Sequence, residues 1–244
     1  MQIVVEGLLT NYQVFGDAKE TLLILPGWRR SASEWLPIAK SLSDKYKVIV
    51  LDLPGFGVTT LPKRVFGVFE YADFVRKFLQ KLKINKCIVL GHSFGGRVAI
   101  VLASEGNIID KLILVDSGGI EQRNLYAKLI SLFRLIFFPI LMLLPVSFKN
   151  KIGNLMGSED YKDSGEMRKI FVKIVNQDLV SFLPKIKVPT FIMWGDRDNV
   201  LQVSQTKIFK KEIRGSRVRI VWGAGHNPHI QKPEQLVVIL KEIL

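Results

Sequence analysis

Ser93 stands in Gly91-His92-Ser93-Phe94-Gly95-Gly96, directly after the apolar run Cys87-Ile88-Val89-Leu90. A serine with glycine two residues away on each side, where a buried strand turns into a helix, fits the Gly-x-Ser-x-Gly turn. That turn strains the serine backbone, and the glycines let neighbouring elements close in. It also sets the hydroxyl at a helix N-terminus, whose unpaired N–H groups favour a developing anion. A hydroxyl is a poor nucleophile until a base removes its proton, so a base and a group that orients the base must follow.

The chain has three histidines. His226, in Gly225-His226-Asn227-Pro228 beyond the last apolar run, is the expected base; His92 reads as a packing residue within the turn and His229 as a group at the same mouth. For the acid, Asp198 closes Gly195-Asp196-Arg197-Asp198, and Asp116 in Leu114-Val115-Asp116-Ser117 stays open as the alternative because it also ends an apolar run. Asp196 reads as a solvated turn carboxylate or a partner of Arg197, Asp52 as the brace of its Pro-Gly loop, and Arg29, Arg30 and Arg97 as mostly solvated charge, with a substrate carboxylate as the alternative partner of each. No paired Cys/His spacing calls for a metal, and no glycine-rich Gly-Lys loop calls for a nucleotide. Neither metal nor cofactor is expected.

The elements that must position these groups alternate along the chain. Thr21–Leu25, Lys47–Leu51, Lys86–Leu90, Lys111–Val115, Thr190–Trp194 and Val218–Trp222 are short runs rich in Val, Ile and Leu, the pattern of parallel strands covered on both faces. Helix-like segments lie between them at Ser33–Ser43, Phe69–Leu82, Gly96–Ser104, Val203–Lys211 and Pro233–Leu244, and residues 2–15 read as an antiparallel pair turning at Glu6-Gly7. The fold class is therefore α/β, a mostly parallel, doubly wound sheet of eight strands. Ser93, Asp198, Asp116 and His226 each fall just past a strand's carboxyl end, where such sheets meet ligands.

From Gly119 to Leu183 no strand is evident, and a structureless loop of that length is improbable. Residues 119–183 are read as a helical cap inserted into a core made of 1–118 and 184–244. Its apolar face, including Phe133, Phe137 and Met142, is expected to line an acyl or aromatic pocket. The same greasy segment, flanked by Arg134 and Lys149, could rest weakly on a membrane surface.

The resemblance is to the α/β-hydrolase superfamily, in its capped, single-domain branch of esterases, lactonases and carbon–carbon bond hydrolases. It spans nearly the whole chain. Leu25-Pro26-Gly27-Trp28 resembles the family's oxyanion turn, with Pro26 in place of the usual histidine. Asp52-Leu53-Pro54-Gly55-Phe56-Gly57 is similar to a frequent structural loop, and Trp194 to Asp198, Gly225-His226 and Lys232-Pro233-Glu234 resemble the acid loop, the histidine loop and the final helix. Gln202 stands where the family often has proline, four residues after the acid. The resemblance implies a Ser93, His226, Asp198 triad, an oxyanion hole from the backbone N–H groups of Trp28 and Phe94, and cleavage of an ester or related activated acyl substrate through an acyl-enzyme. It leaves open carbon–carbon hydrolysis or lyase chemistry on the same triad, and a ligand-binding receptor that has lost turnover. A serine at the turn sets the chain apart from relatives with aspartate there, the dehalogenases and epoxide hydrolases.

Composition narrows the partners. The 244 residues carry 35 Lys plus Arg against 22 Asp plus Glu, a net charge of +13, but no nucleic-acid motif accompanies the charge, so the expected partner is a small apolar acyl or aromatic molecule and not nucleic acid. Cys87 is the one cysteine and sits in an apolar run, where a buried reduced thiol is expected. Met1 to Gly7 lacks the pattern of a secretory leader, and the apolar stretch 135–146 is short of the roughly 20 residues that span a bilayer. A cytoplasmic location is the expectation.

Overall fold

In the computed structural model the described residues are 1–120 and 164–244. The chain divides into two compact units, residues 1–120 with 177–244, and residues 121–176.

The first unit is built on a sheet of eight strands: β1 (Gln2–Val5), β2 (Leu8–Phe15), β3 (Thr21–Leu25), β4 (Lys47–Leu51), β5 (Cys87–His92), β6 (Ile109–Val115), β7 (Thr190–Gly195) and β8 (Arg217–Val221). Their order across the sheet is β1-β2-β4-β3-β5-β6-β7-β8. β1 and β2 pair antiparallel, as does β2 with β4, and every pairing from β4 to β8 is parallel. Central strands are buried along their whole length, Leu22 to Leu25 and Val48 to Leu51 being fully covered, which is why they read as unbroken apolar runs.

Numbering the described helices in chain order, α1 (Leu36–Leu42), α2 (Val68–Lys81) and α3 (Phe94–Glu105) belong to this unit. So do α5 (Thr206–Glu212), α6 (Pro228–Gln231) and α7 (Pro233–Ile243). α4 (Arg168–Val175) lies in the second unit, after a 3₁₀ turn at Gly165–Met167. On one face of the sheet, Ile38, Ala39 and Leu42 of α1 and Leu236, Ile239, Leu240 and Ile243 of α7 share a core with Leu22, Ile24, Val50, Leu90 and Met193. α2 turns Val68, Tyr71, Ala72, Val75, Phe78 and Leu79 inward at three- and four-residue spacing, and its start is fixed where Gly67 N–H donates to Glu70 Oε2 at 2.7 Å. α3 is apolar nearly all round, with Val98 to Ala103 buried, as befits a helix enclosed between the sheet and α2.

Two expected helices are divided. The first begins as a 3₁₀ turn over Ala32–Trp35 before α1, and the fourth as one over Val203–Gln205 before α5. A further 3₁₀ segment, Val180–Lys185, contains Pro184, whose missing N–H disfavours a full α-helix there.

Asp52 braces the loop after β4. It is 2% exposed, and its carboxylate accepts from Ala32 N at 2.6 Å, Asn11 Nδ2 at 2.7 Å and Val58 N at 3.4 Å. Those bonds tie β2, the 3₁₀ turn before α1 and the Gly55–Thr59 loop to one point. Asp52→Ala is expected to destabilise the protein by roughly 2–3 kcal/mol, because it strands buried donors; a urea melt of the two proteins checks this.

Candidate active site

β5 ends in His92, and α3 starts at Phe94, so Ser93 occupies the whole turn between strand and helix. It sits at φ 49°, ψ −109°, a left-handed conformation that costs a non-glycine residue on the order of 1–3 kcal/mol and is held by its surroundings. Those surroundings need glycine. A Cβ at Gly95 would fall 2.0 Å from the Leu25 carbonyl oxygen, and one at Gly91 would fall 2.5 Å from the Gly95 carbonyl oxygen. The close approach of α3 to the end of β3 thus depends on both, and the turn presents the hydroxyl.

His226 Nε2 lies 2.9 Å from Ser93 Oγ, and His226 Nδ1 lies 2.8 Å from Asp198 Oδ2. The three side chains come from positions 133 and 28 residues apart. They meet because β5, β7 and β8 end at the same edge of the sheet. The Asp198 carboxylate has no exposed side-chain surface. Its Oδ1 accepts from Val200 N at 2.8 Å and Leu201 N at 2.9 Å, which leaves Oδ2 for the imidazole. In that orientation Nδ1–H donates to Asp198 and Nε2 faces the hydroxyl as an acceptor, so the imidazole can take the serine proton.

Asp116, the alternative acid, does not hydrogen-bond His226. It follows β6 at φ 41°, its Oδ1 accepts from Gly195 N at 2.9 Å, and its Oδ2 is buried near Asp198. Burial, with Asp198 nearby, pushes this carboxyl up to about 9, which favours its neutral form. Acidic and imidazole atoms of Asp116, Asp198 and His226 lie within 4.8 Å of one another. The Asp198 and His226 atoms of that group already bond one another and Ser93.

The other two histidines are structural. His92 Nε2 donates to the His226 carbonyl oxygen at 2.8 Å, a tether that sequence pattern did not reveal, and burial holds its pKa well below the usual range, so it stays neutral. His229 does not line the mouth: it is 1% exposed and stacks on Trp35 with centroids 4.2 Å apart and planes 7° from parallel. The flat face of an indole offers it an apolar seat, and its Nε2 stands 3.6 Å from Glu34 Oε2. All three histidines of the chain therefore gather in one place, His92 being 5.3 Å from His226 and 4.7 Å from His229 between ring centroids.

The loop after β3 runs past the serine. A Cβ on Gly27 would lie 3.4 Å from Ser93 Cβ and 2.9 Å from His92 Nδ1, so Trp28 follows directly beside the nucleophile. The Trp28 ring meets Phe56 and Phe94 edge-on at 5.1 and 5.6 Å, and Tyr71 meets Phe94 at 4.9 Å. This aromatic cluster is a second feature that the sequence did not announce, its members lying far apart along the chain. Arg97, expected to be solvated, is instead largely covered and donates from Nη1 to the Gln177 carbonyl oxygen at 2.9 Å; burial lowers its pKa to about 10. Phe133, Phe137 and Met142 lie outside the described residues.

Comparison with known proteins agrees with this architecture. Residues 20–138 match the family described as alpha/beta hydrolase fold. Monoacylglycerol lipase ABHD6 from Mus musculus is 28% identical over 93% of this chain and 76% of its own length. Among solved structures, a membrane phospholipase A described as a bacterial virulence factor is similar with a TM-score of 0.81 and 27% identity, covering 99% of this chain and 84% of that one. The meta-cleavage product hydrolase of Pseudomonas fluorescens IP01 shares the fold with a TM-score of 0.76 at 20% identity, covering 99% of this chain and 96% of its own. This sheet, shared with a lipase and other hydrolases, makes the protein a hydrolytic enzyme. The fold is that of the α/β-hydrolase superfamily, and residues 20–138 match its family model.

Proposed function

We propose that the protein is a serine hydrolase that cleaves a carboxylic ester through an acyl-enzyme, with a fatty-acyl lipid as the substrate class. The observation that carries this reading is the unbroken chain of contacts from Asp198 through His226 to Ser93 Oγ, at 2.8 and 2.9 Å. The substrate class draws on the relatives, since a monoacylglycerol lipase and a phospholipase A both cleave acyl esters.

In the first half-reaction His226 Nε2 accepts the Ser93 proton as Oγ attacks the ester carbonyl carbon. The carbonyl oxygen becomes an oxyanion held by the backbone N–H groups of Phe94 and Trp28. The C–O bond to the alcohol then breaks, and His226 returns the proton to the leaving oxygen. In the second half, water attacks the Ser93 ester, gives its proton to His226, and the carboxylic acid leaves as Ser93 recovers its own. Asp198 holds the imidazole in the productive tautomer and stabilises its cation. One oxyanion donor is worth ~10²–10³ in turnover in such sites. No step requires a metal or cofactor. The insertion between β6 and β7 choosing the acyl group, and a location in the cytoplasm, are parts of the same proposal. Among the described residues no helix is long and apolar enough to cross a membrane.

A fluorophosphonate probe tests the reading. Labelling at Ser93 that disappears in His226→Ala is expected, together with release of p-nitrophenol from acyl esters. Folded protein that resists the probe would instead favour a receptor, and turnover of a dienone diketone without ester cleavage would favour carbon–carbon hydrolysis.

A further inference from the structure

Part of the net charge of +13 lies where the site does not use it. On α5, β8 and the turn between them, Lys207, Lys210, Lys211, Arg214, Arg217 and Arg219 are all exposed. Glu212 is the only carboxylate between Thr206 and Val221, and it stands 3.6 Å from Lys211. β8 ends the sheet, pairing with β7 alone. Arg217 and Arg219, alternate residues of one strand, therefore set two cations on that edge, which discourages a second copy from extending the sheet.

Arg217 and Arg219 project with their partners Phe191 and Met193 to the face that carries α7, opposite α5, and Trp222 follows β8 at its catalytic end. Of the chain's four tryptophans, Trp28, Trp35 and Trp194 are buried, at 8%, 0% and 0% exposure, whereas Trp222 is 67% exposed. Its backbone is pinned: with the Gln235 amide turned so that its nitrogen donates to Trp222 O and its oxygen accepts from Trp222 N, the two bonds are 3.1 and 3.3 Å. Trp222 opens the loop that carries His226, and that loop touches the one carrying Asp198, where Arg197 N–H donates to the Ala224 carbonyl oxygen at 2.9 Å. Val200 in the loop after Asp198 and Ile230 on α6 are also exposed, each 51% accessible.

We propose that α5 and Trp222 form a docking surface for a bilayer bearing anionic headgroups, with the basic side chains of α5 over the phosphates and Trp222 seated at the interface. Bilayers favour this combination: indole settles where an apolar body can be covered while its N–H stays wet, and basic residues near an anionic leaflet add attraction. A nucleic acid would also meet the charge, but it has no use for the exposed aliphatic Ile230 and Val200, and a lipid surface does. Docking there brings the loops bearing His226 and Asp198 to the bilayer, so the inference extends the lipid-ester reading and rests on it for the purpose of docking, though not for the binding.

The test measures binding without turnover. Ser93→Ala protein is mixed with vesicles of phosphatidylcholine alone, or with added phosphatidylglycerol, at low and high salt. Co-sedimentation and tryptophan emission are read. Expected is binding to the phosphatidylglycerol vesicles only, weakened by salt, with a blue shift that comes from Trp222. Trp222→Ser should abolish the shift, and both Trp222→Ser and the double variant Lys207→Glu/Lys211→Glu should bind roughly tenfold more weakly or worse, with thermal melts unchanged. Equal binding to both vesicle types, no binding at low salt, or binding without an emission shift overturns the proposal, as does preference for a single-stranded RNA competitor over the vesicles. Because Ser93 is absent from the binding assay, its failure leaves the esterase reading standing, and failure of fluorophosphonate labelling leaves the docking result standing.

Discussion

Ser93→Ala is expected to lower turnover of an acyl ester by about 10⁵–10⁶, with the melting temperature nearly unchanged. Oγ is the atom that bonds to the acyl carbon, so its loss removes covalent catalysis and leaves only binding and the oxyanion donors. Alanine at position 93 meets the same positive φ of 49° that serine already bears, which is why the fold should hold. His226→Ala should cost about as much, and the double variant little more than either alone, because nucleophile and base act as one unit. Steady-state kinetics with a p-nitrophenyl ester, alongside thermal melts, read all three. Residual activity within a hundredfold of the parent in folded Ser93→Ala would move the chemistry elsewhere.

Asp198→Asn should lower kcat by about 10⁴ and barely alter KM. The new amide can keep its oxygen toward Val200 N and Leu201 N, now accepted by Asp198 Oδ1 at 2.8 and 2.9 Å. Its NH₂ then faces His226 Nδ1, so Nδ1 must accept and the proton moves to Nε2. The imidazole can no longer take a proton from Ser93. Asp116→Asn makes the opposite prediction, a loss of less than about tenfold, since Asp116 does not bond the imidazole and an amide can still accept from Gly195 N. Should the two variants exchange ranks, Asp116 is the acid.

The same pair carries a pH signature. Burial, then the Asp198 charge, raises the Asp116 carboxyl from an ordinary 3.8 to about 9. The folded protein therefore holds that proton more tightly than the unfolded chain does. Whatever stability Asp116 contributes is complete below about pH 4 and is lost progressively as pH climbs toward 9. Asp116→Asn lacks this loss, so its melting temperature should gain on the parent's as pH rises through that window. A constant offset across the range would show that Asp116 ionises normally.

These outcomes separate groups that the sequence could only shortlist. Asp116 and Asp198 follow β6 and β7, adjacent strands whose carboxyl ends are side by side, so either could have been delivered to an imidazole arriving from the loop after β8. Asp198 reaches it because two backbone N–H groups turn its second oxygen toward Nδ1, and that depends on how the Val200-Leu201 turn folds. His229 likewise follows His226 by three residues, yet it is drawn beneath the site by the flat face of Trp35, a residue 194 positions away in sequence. Arg97 reads as a surface charge because helix periodicity does not reveal that Gln177 will fold over it.

The sequence by itself determined the strands, through apolar runs dense enough to be buried on both faces; the serine turn, through the glycines its close approaches demand; and the strand ends from which acid and base come. Local sterics and hydrophobic patterning act over a few residues, so they can be read along the chain. Only the tertiary structure decided which carboxylate meets His226, which histidine is covered, which rings gather around Phe94 and which tryptophan is left in water. Those outcomes turn on distances of an ångström or two between residues far apart in the chain, and they exist only once the sheet brings the strand ends together.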